Sequence, residues 1–417
     1  MIPMNTLRKN YYNTIAILGL LICIIWVITV NTQPFSDFDY YNKLAQQIAE
    51  GGEWGDTYTS VGYSIILGFI YSIFGVDLTV AKIFNITLTL INYILIYKIL
   101  NKINLSEIRR KVIYTVFVFF PNNIFYTSII ATEILFTTIL LTITLIYYSN
   151  TKLKYVLIGI LVAINAMIKP FFIIFFLVIF IVELFLKYSI VHVLKHTTII
   201  LLISIICISP WIYRNTKFIG QLTFISNNGG IVLYINNNSQ NKYGRWISAE
   251  KVENSVVLKK EYIEANVTQK NKILTTSAKK WIINHPLQFV ELGFKRLFNT
   301  YFIADDIFFS LNGASLNRYI EILLIIYVFL TKAILFTIAI IYIIIYSKKV
   351  IVNLLKKENI NSYDLYSLIC FYMFTSVYFI TEGQGRYTFP FIFIIIYFFS
   401  FSVEKIFKNG IFVTKNT

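Results

Sequence analysis

Uncharged apolar runs of about 20 residues recur along this chain of 417 residues, and they constrain its fold more than any other feature. A helix of that length crosses the ~30 Å hydrocarbon layer of a bilayer while pairing all its backbone polar groups internally. The stretches 11–30, 78–99, 112–128, 132–149, 155–169, 170–187, 197–213, 322–346, 363–381 and 388–404 fit this description. They predict an all-α integral membrane protein with about ten transmembrane helices. Only 14% of the residues are charged, far below the roughly 25% of an average soluble domain, so an ordinary soluble protein is excluded. The first run, Tyr11 to Val30, is too long for a signal-peptide core and has no small-residue cleavage site after it, so it reads as a retained span.

Orientation follows from the basic residues, which accumulate in short cytoplasmic loops. With the N-terminus inside, the inner ends collect Arg8/Lys9, Lys98/Lys102/Arg109/Arg110/Lys111, Lys152/Lys154, Lys187/Lys195, Lys348/Lys349/Lys356/Lys357 and Lys405/Lys408/Lys415. Both termini are then expected in the cytoplasm, and the net charge of +16 is largely a matter of topology. No stripe of basic residues interleaved with exposed aromatics is present, so no nucleic-acid partner is expected. Gly62 to Gly75 is apolar but only about 14 residues long, and reading it as a span would reverse every later loop. It is expected to be an interfacial (juxtamembrane) or re-entrant helix on the outer side.

The chain divides accordingly into an N-terminal membrane module, 1–213, with a first outer loop at 31–77, an outer loop region at 214–318, and C-terminal membrane helices at 319–417. The first loop holds Asp37, Asp39, Glu50, Glu53 and Asp56 against a single Lys43. The second begins with a glycine-asparagine stretch, Ser226 to Asn238, and reads as helices near 250–282 and 285–300, the latter started by His285-Pro286. It is expected to form a small extracytoplasmic loop domain.

Ionisable residues at membrane depth are costly and are therefore candidates for function, though each has a structural alternative. Glu133 either serves a site or satisfies a helix N-terminus. Lys169, before Pro170, either faces a cavity or snorkels from a hairpin tip. Arg214 and Arg386 stand beside aromatic residues and fit interfacial anchors as well, as do Lys82 and Lys332. Convergence favours function, because Lys82, Lys169, Arg214 and Arg386 all fall at outer ends of different spans. A cationic site facing the carboxylates of the first loop suits a lipid phosphate: cations stabilise charge on the leaving group, and a carboxylate takes the proton of an attacking hydroxyl.

Other chemistry is poorly represented. Cys23, Cys207 and Cys370 all lie in apolar runs, and no Cys/His metal spacing exists. His192 and His196 have the i, i+4 spacing of a helical metal pair but sit beside Lys187 and Lys195 without a carboxylate, so no metal role is expected of them. No cofactor is indicated, no metal ligand is assigned, and a divalent cation is left open.

Taken in order, a set of short motifs resembles the polytopic glycosyltransferases of the C fold, specifically the bacterial branch related to protein O-mannosyltransferases and the aminoarabinose transferase of lipid A. The set comprises Asp37 with Tyr41 and Ala45; Gly62-Tyr63 leading to Phe74-Gly75 and Lys82-Ile-Phe-Asn85; Thr132-Glu133; Lys169-Pro170; Pro210-Trp211-Ile-Tyr-Arg214-Asn215; Ser226-Asn-Asn228-Gly229-Gly230 with Leu233 and Asn237-Asn238; and Arg386-Tyr387 with Pro390. The resemblance implies a sugar moved, with inversion, from a polyprenyl-phosphate donor to an extracytoplasmic glycan, lipid or protein acceptor at a bacterial cytoplasmic membrane. It implies Asp37 as base, with Asp39 and Glu133 as supporting carboxylates. Lys82, Lys169, Arg214 and Arg386 would hold the donor phosphate, and Tyr41, Asn228, Gly229, Gly230, Asn237 and Tyr387 would contact substrate. The chain departs from the pattern in reading Asp37-Phe38-Asp39 where many relatives have Asp-Glu, and in Lys169 where relatives often have Arg, which loses the planar fork for a phosphate. A surface-polysaccharide polymerase and a flippase or transporter of lipid-linked saccharides remain as alternatives. Transporters tend to carry internal repeats and midplane charges, whereas here the charges cluster at outer ends.

Overall fold

The computed structural model describes the backbone from Met4 to Lys408 and side chains from residue 10 to 407. Arg8, Lys9, Lys408 and Lys415 of the orientation argument lie outside the described side chains. Eighteen α-helices and several 3₁₀ turns make up these residues, with no β-strand among them. In order they are α1 (Met4–Val30), α2 (Ser36–Ala49), α3 (Gly62–Phe74), α4 (Leu78–Lys102), α5 (Glu107–Phe119), α6 (Pro121–Phe125), α7 (Glu133–Tyr147), α8 (Lys154–Ile168) and α9 (Phe175–Phe185). There follow α10 (Ile190–Ile219), α11 (Gly229–Asn236), α12 (Lys260–Ile263), α13 (Val267–Asn284), α14 (Pro286–Phe302), α15 (Ile307–Ser310), α16 (Arg318–Leu355), α17 (Ser362–Ile380) and α18 (Ile392–Lys408).

Six segments are long and apolar enough to cross a membrane: Asn10–Val30, Leu78–Lys102, Ile190–Ile219, Arg318–Leu355, Ser362–Ile380 and Gly385–Phe407. The other four expected spans fold as shorter pieces. Proline decides two of these boundaries, since it lacks an N–H and disfavours the helical conformation of the residue before it. Pro121 separates α5 from α6, and Pro170 follows the extended Lys169 that closes α8. Helices α7 and α8 have 15 residues each, a rise of about 22 Å, which is less than the layer they were expected to span. Their outer ends, Glu133 and Ile168, are thereby sunk into the protein. In the second loop, continuous helix begins only at Val267, where Asn266 and Gln269 form a reciprocal capping box; the expected helix from 250 is broken into 3₁₀ turns and α12.

The interior is a cluster rich in aromatic rings. Phe136 meets Phe172 edge-on with centroids 5.0 Å apart, and Phe374 stacks on Phe391 at 4.9 Å. By contrast Ile28, Ile206, Leu323 and Ile344 are exposed on the outer faces of α1, α10 and α16. Apolar side chains turned outward along whole helices match a lipid surround and not water. Helix α3 lies against the end of α8 so closely that a Cβ at Gly62 would come within 2.7 Å of the Met167 carbonyl. The short apolar segment of the first loop is thus docked on the bundle.

Residues expected on one side of the membrane meet one another. At the inner ends, Lys187 donates to the Lys357 carbonyl at 2.8 Å and Arg109 to Ser400 at 3.0 Å; at the outer ends, Thr32 bonds the Ser310 carbonyl and Trp26 bonds Ser128. Which side is cytoplasmic is testable in intact cells. With the exposed Cys207 replaced, single cysteines at Trp54 and Tyr243, both exposed, are expected to react with an impermeant maleimide, whereas one at Lys348 reacts only after permeabilisation. Reversed labelling would overturn the orientation.

Candidate functional site

Between the bundle and the two loops expected on the outer side lies a cavity of about 660 Å³, within the size range of small-ligand sites. Its floor comes from the sunken ends of α7 and α8 and the 3₁₀ turn Gly385–Phe391. One wall is α2, and the other is α11, α13 and the 58–60 segment.

Helix α2 begins after Pro34, with Asp37 and Asp39 in its first turn, where carboxylates interact favourably with the helix dipole. Two residues correspond to about 200° of rotation, so the two carboxylates diverge. Asp37 faces the cavity and accepts from Arg386 Nη2 at 2.9 Å. Asp39 turns away to pair with Lys43 at 2.7 Å. On the same helix Tyr41 lines the cavity; burial holds its phenol well above the ordinary value, with the Asp37 charge acting in the same direction, so it presents a neutral hydroxyl.

Glu133 opens α7 and is 2% exposed. Its Oε1 lies 3.3 Å from Lys169 Nζ, and Thr132 donates to its Oε2. The dipole reading and the site reading of Glu133 therefore coexist in one geometry. Lys169 does not snorkel to a surface. Its ammonium points inward, over the ring of Tyr387 at 5.4 Å and that of Phe136 at 5.8 Å. Arg386 is wedged against the rings of Phe38, Phe309 and Tyr387, and its Nε donates to Gln384 Oε1 at 2.7 Å. Gln384 in turn donates to Glu382 at 2.8 Å, and Tyr387 donates to the other Glu382 oxygen at 2.7 Å. This relay from Glu382 sets the position of Arg386. Glu382 is absent from the expected site residues, although an acid four residues before Arg386 in Glu382-Gly-Gln-Gly-Arg386 was a usable signal.

The structure therefore gathers Asp37, Tyr41, Glu133, Lys169, Asn228, Gly229, Gly230, Arg386 and Tyr387 around one cavity. Four expected residues lie outside its lining. Asp39 is half-exposed on the far side of α2. Lys82 is buried and donates to Asn31 Oδ1 at 3.2 Å. Arg214 donates to the Gly55 carbonyl and lies over the Trp211 ring at 4.7 Å, fastening the first loop to α10. Asn237 bridges the Leu233 and Ile380 carbonyls at 2.9 and 3.0 Å. An unmet backbone carbonyl is a strong acceptor, and Arg214 and Asn237 turn toward such carbonyls instead of toward the cavity. Lys332 is no surface anchor either: it is fully buried and donates to the Ile303 and Gly385 carbonyls. The expected cationic basin is thus a mixed one, with two cations, Lys169 and Arg386, against three carboxylates, Asp37, Glu133 and Glu382. His192 and His196 are engaged elsewhere, His196 with Glu183 at 2.8 Å. Among the described residues no group of three or more His, Cys, Asp or Glu side chains is placed to share a metal ion.

The all-helical fold of the described residues is one that solved proteins share. The chain is similar to the archaeal oligosaccharyltransferase AglB of Archaeoglobus fulgidus in the structure of its complex with an inhibitory peptide and a dolichol-phosphate, with a TM-score of 0.53 at 12% identity over 96% of this chain and 51% of that one. The apo form of the oligosaccharyltransferase from the same organism gives the same values: TM-score 0.53, 12% identity, and 96% and 51% coverage. The chain spans about half the length of these proteins, and at this identity the likeness establishes a shared fold and nothing beyond it. No protein-family model matches the chain, and no curated protein matches it in sequence.

Proposed function

We propose that the chain is a glycosyltransferase that moves a sugar from a polyprenyl-phosphate donor to an acceptor hydroxyl at the outer face of a bacterial cytoplasmic membrane. The observation that supports this most is the pairing of Asp37 with Arg386 and of Glu133 with Lys169 on the wall of a single cavity. A donor phosphate entering between the two cations exchanges their carboxylate partners for its own oxygens. The released Asp37 carboxylate, half-exposed to the cavity, then accepts the proton of the acceptor hydroxyl. The hydroxyl oxygen bonds to the anomeric carbon as the carbon–oxygen bond to phosphate breaks, and the bonding pair leaves on polyprenyl phosphate. One displacement of this kind inverts the anomeric centre. Lys169 and Arg386 stabilise the charge that builds on the leaving group, in a cavity where water screens it poorly.

The leaving product gives a direct test. Polyprenyl phosphate alone is expected to bind the purified protein and to compete with the donor, and Arg386→Ala is expected to weaken that binding about ten- to a hundredfold, the effect of losing a charge-assisted contact. Unchanged binding would refute a phosphate site at Arg386. Glu382→Gln removes the charge that orients Gln384 and Tyr387, and misplacing Arg386 in this way is expected to lower turnover by up to about a hundredfold while protein yield is unaffected. Wild-type kinetics for this variant would show that the relay plays no part.

A further inference from the structure

The cavity is chemically divided. Its charged residues all belong to α2, α7, the α8 end and the 382–386 segment, whereas the wall formed by 58–60, 226–230, Trp246 and α13 contributes only aromatic rings, amides, hydroxyls and aliphatic groups. We infer that this second wall receives an uncharged saccharide chain, so that the acceptor hydroxyl belongs to a neutral glycan. This inference rests on the transferase reading above and narrows its acceptor.

Trp246 and Tyr58 are 66% and 42% exposed while lining the cavity. Among the described residues no ring contact or hydrogen bond engages the Trp246 indole, yet its backbone is held on both sides. Arg245 pairs with Asp305 and its carbonyl accepts from Asn241, while Ile247 packs in the loop core. A flat ring presented on a fixed backbone is a stacking platform for a sugar, whose C–H face carries the partial positive charge that the negative face of an aromatic ring attracts. The amides supply the complementary edge. Asn271 Oδ1 accepts from the Gly230 N–H at 2.6 Å, and Asn228 Oδ1 accepts from Ser226 Oγ at 3.1 Å. Each oxygen is thereby committed within the protein, which leaves each side-chain NH₂ as the group available for an incoming hydroxyl or acetamido oxygen.

Competing acceptors fit less well. An extended peptide bound by strand addition would need a free sheet edge, and no strand exists among the described residues. An anionic acceptor would meet three carboxylates, with both cations of the cavity taken up by the donor phosphate.

The test uses full-length protein in nanodiscs and saturation-transfer NMR, with three probes: a glucose tetramer, an N-acetylglucosamine tetramer and an uncharged hexapeptide. Transfer to the ring C–H protons of at least one tetramer is expected, falling about fivefold or more in Trp246→Ala and largely retained in Trp246→Tyr, which keeps an aromatic face. Transfer to neither tetramer, transfer to the peptide alone, or no effect of Trp246→Ala would overturn the inference. Donor consumption measured on the same preparation separates the two claims. Donor turnover without saccharide binding refutes the glycan acceptor alone, whereas saccharide binding without donor turnover refutes the transferase and leaves a saccharide site.

Discussion

Asp37→Asn is expected to lower sugar transfer by about 10² to 10⁴, the usual cost of losing a general base, while Asp39→Asn lowers it little. The two residues are separated by one position, yet only Asp37 reaches the cavity, and Asp39 is spent on a surface pair with Lys43. Exposed pairs of that kind contribute little, so the second variant is a control for expression and for the local helix. Asp37→Asn keeps the size of the side chain and an acceptor oxygen for Arg386, so donor binding persists when transfer does not. Initial rates with saturating donor decide the matter. A larger loss in Asp39→Asn would place the base there, and equal, small losses would leave Glu133 as the leading carboxylate.

The second large effect concerns stability and activity together. Lys169→Met leaves Glu133, 2% exposed, as a buried carboxylate without its counter-ion, a change that costs about 3–5 kcal/mol when a buried pair is broken from one side. The Tm in detergent is therefore expected to fall by several degrees. Adding Glu133→Gln removes the stranded charge and is expected to restore much of the Tm. Activity is expected to stay low in both variants, by at least about ten- to a hundredfold, because a phosphate ligand is missing in each. Recovery of both properties in the double variant would make the pair a structural strut with no part in donor binding.

Much of this architecture was legible because lipid imposes a coarse rule. A span needs an uncharged run, and such runs mark α1, α4, α10, α16 and α17 plainly. The rule is weaker where the protein covers a helix on all sides. Helices α7 and α8 are as apolar as a span but stop at 15 residues; Pro170 was the local sign of the end of α8, as Pro121 was of the break between α5 and α6. At the site, Asp37, Glu133, Lys169 and Arg386 stood out because a charge beside an apolar run is costly and calls for a partner. Their partners were not legible, since Asp37 and Arg386 are brought together by the folding of the whole chain. Lys82 and Arg214 carried the same signal as Lys169 but face a side-chain amide and a backbone carbonyl, and nothing in their sequence neighbourhood distinguishes these fates. Glu382 gave a weaker sign: its place four residues before Arg386 marked it, but a single acid in a glycine-rich turn looks like an ordinary loop residue.

The central claim is that this cavity breaks a bond, as opposed to passing a lipid-linked saccharide across the bilayer. Purified protein in nanodiscs, supplied with a synthetic polyprenyl-phosphate sugar labelled in the sugar and a neutral glycan acceptor, decides it directly, because a nanodisc has no enclosed lumen in which transport can register. Asp37-dependent appearance of label in the water-soluble glycan, with polyprenyl phosphate released in equal amount, is the predicted result. Label that stays wholly on the lipid in nanodiscs, while the same protein moves the intact donor between leaflets of sealed vesicles, would contradict it.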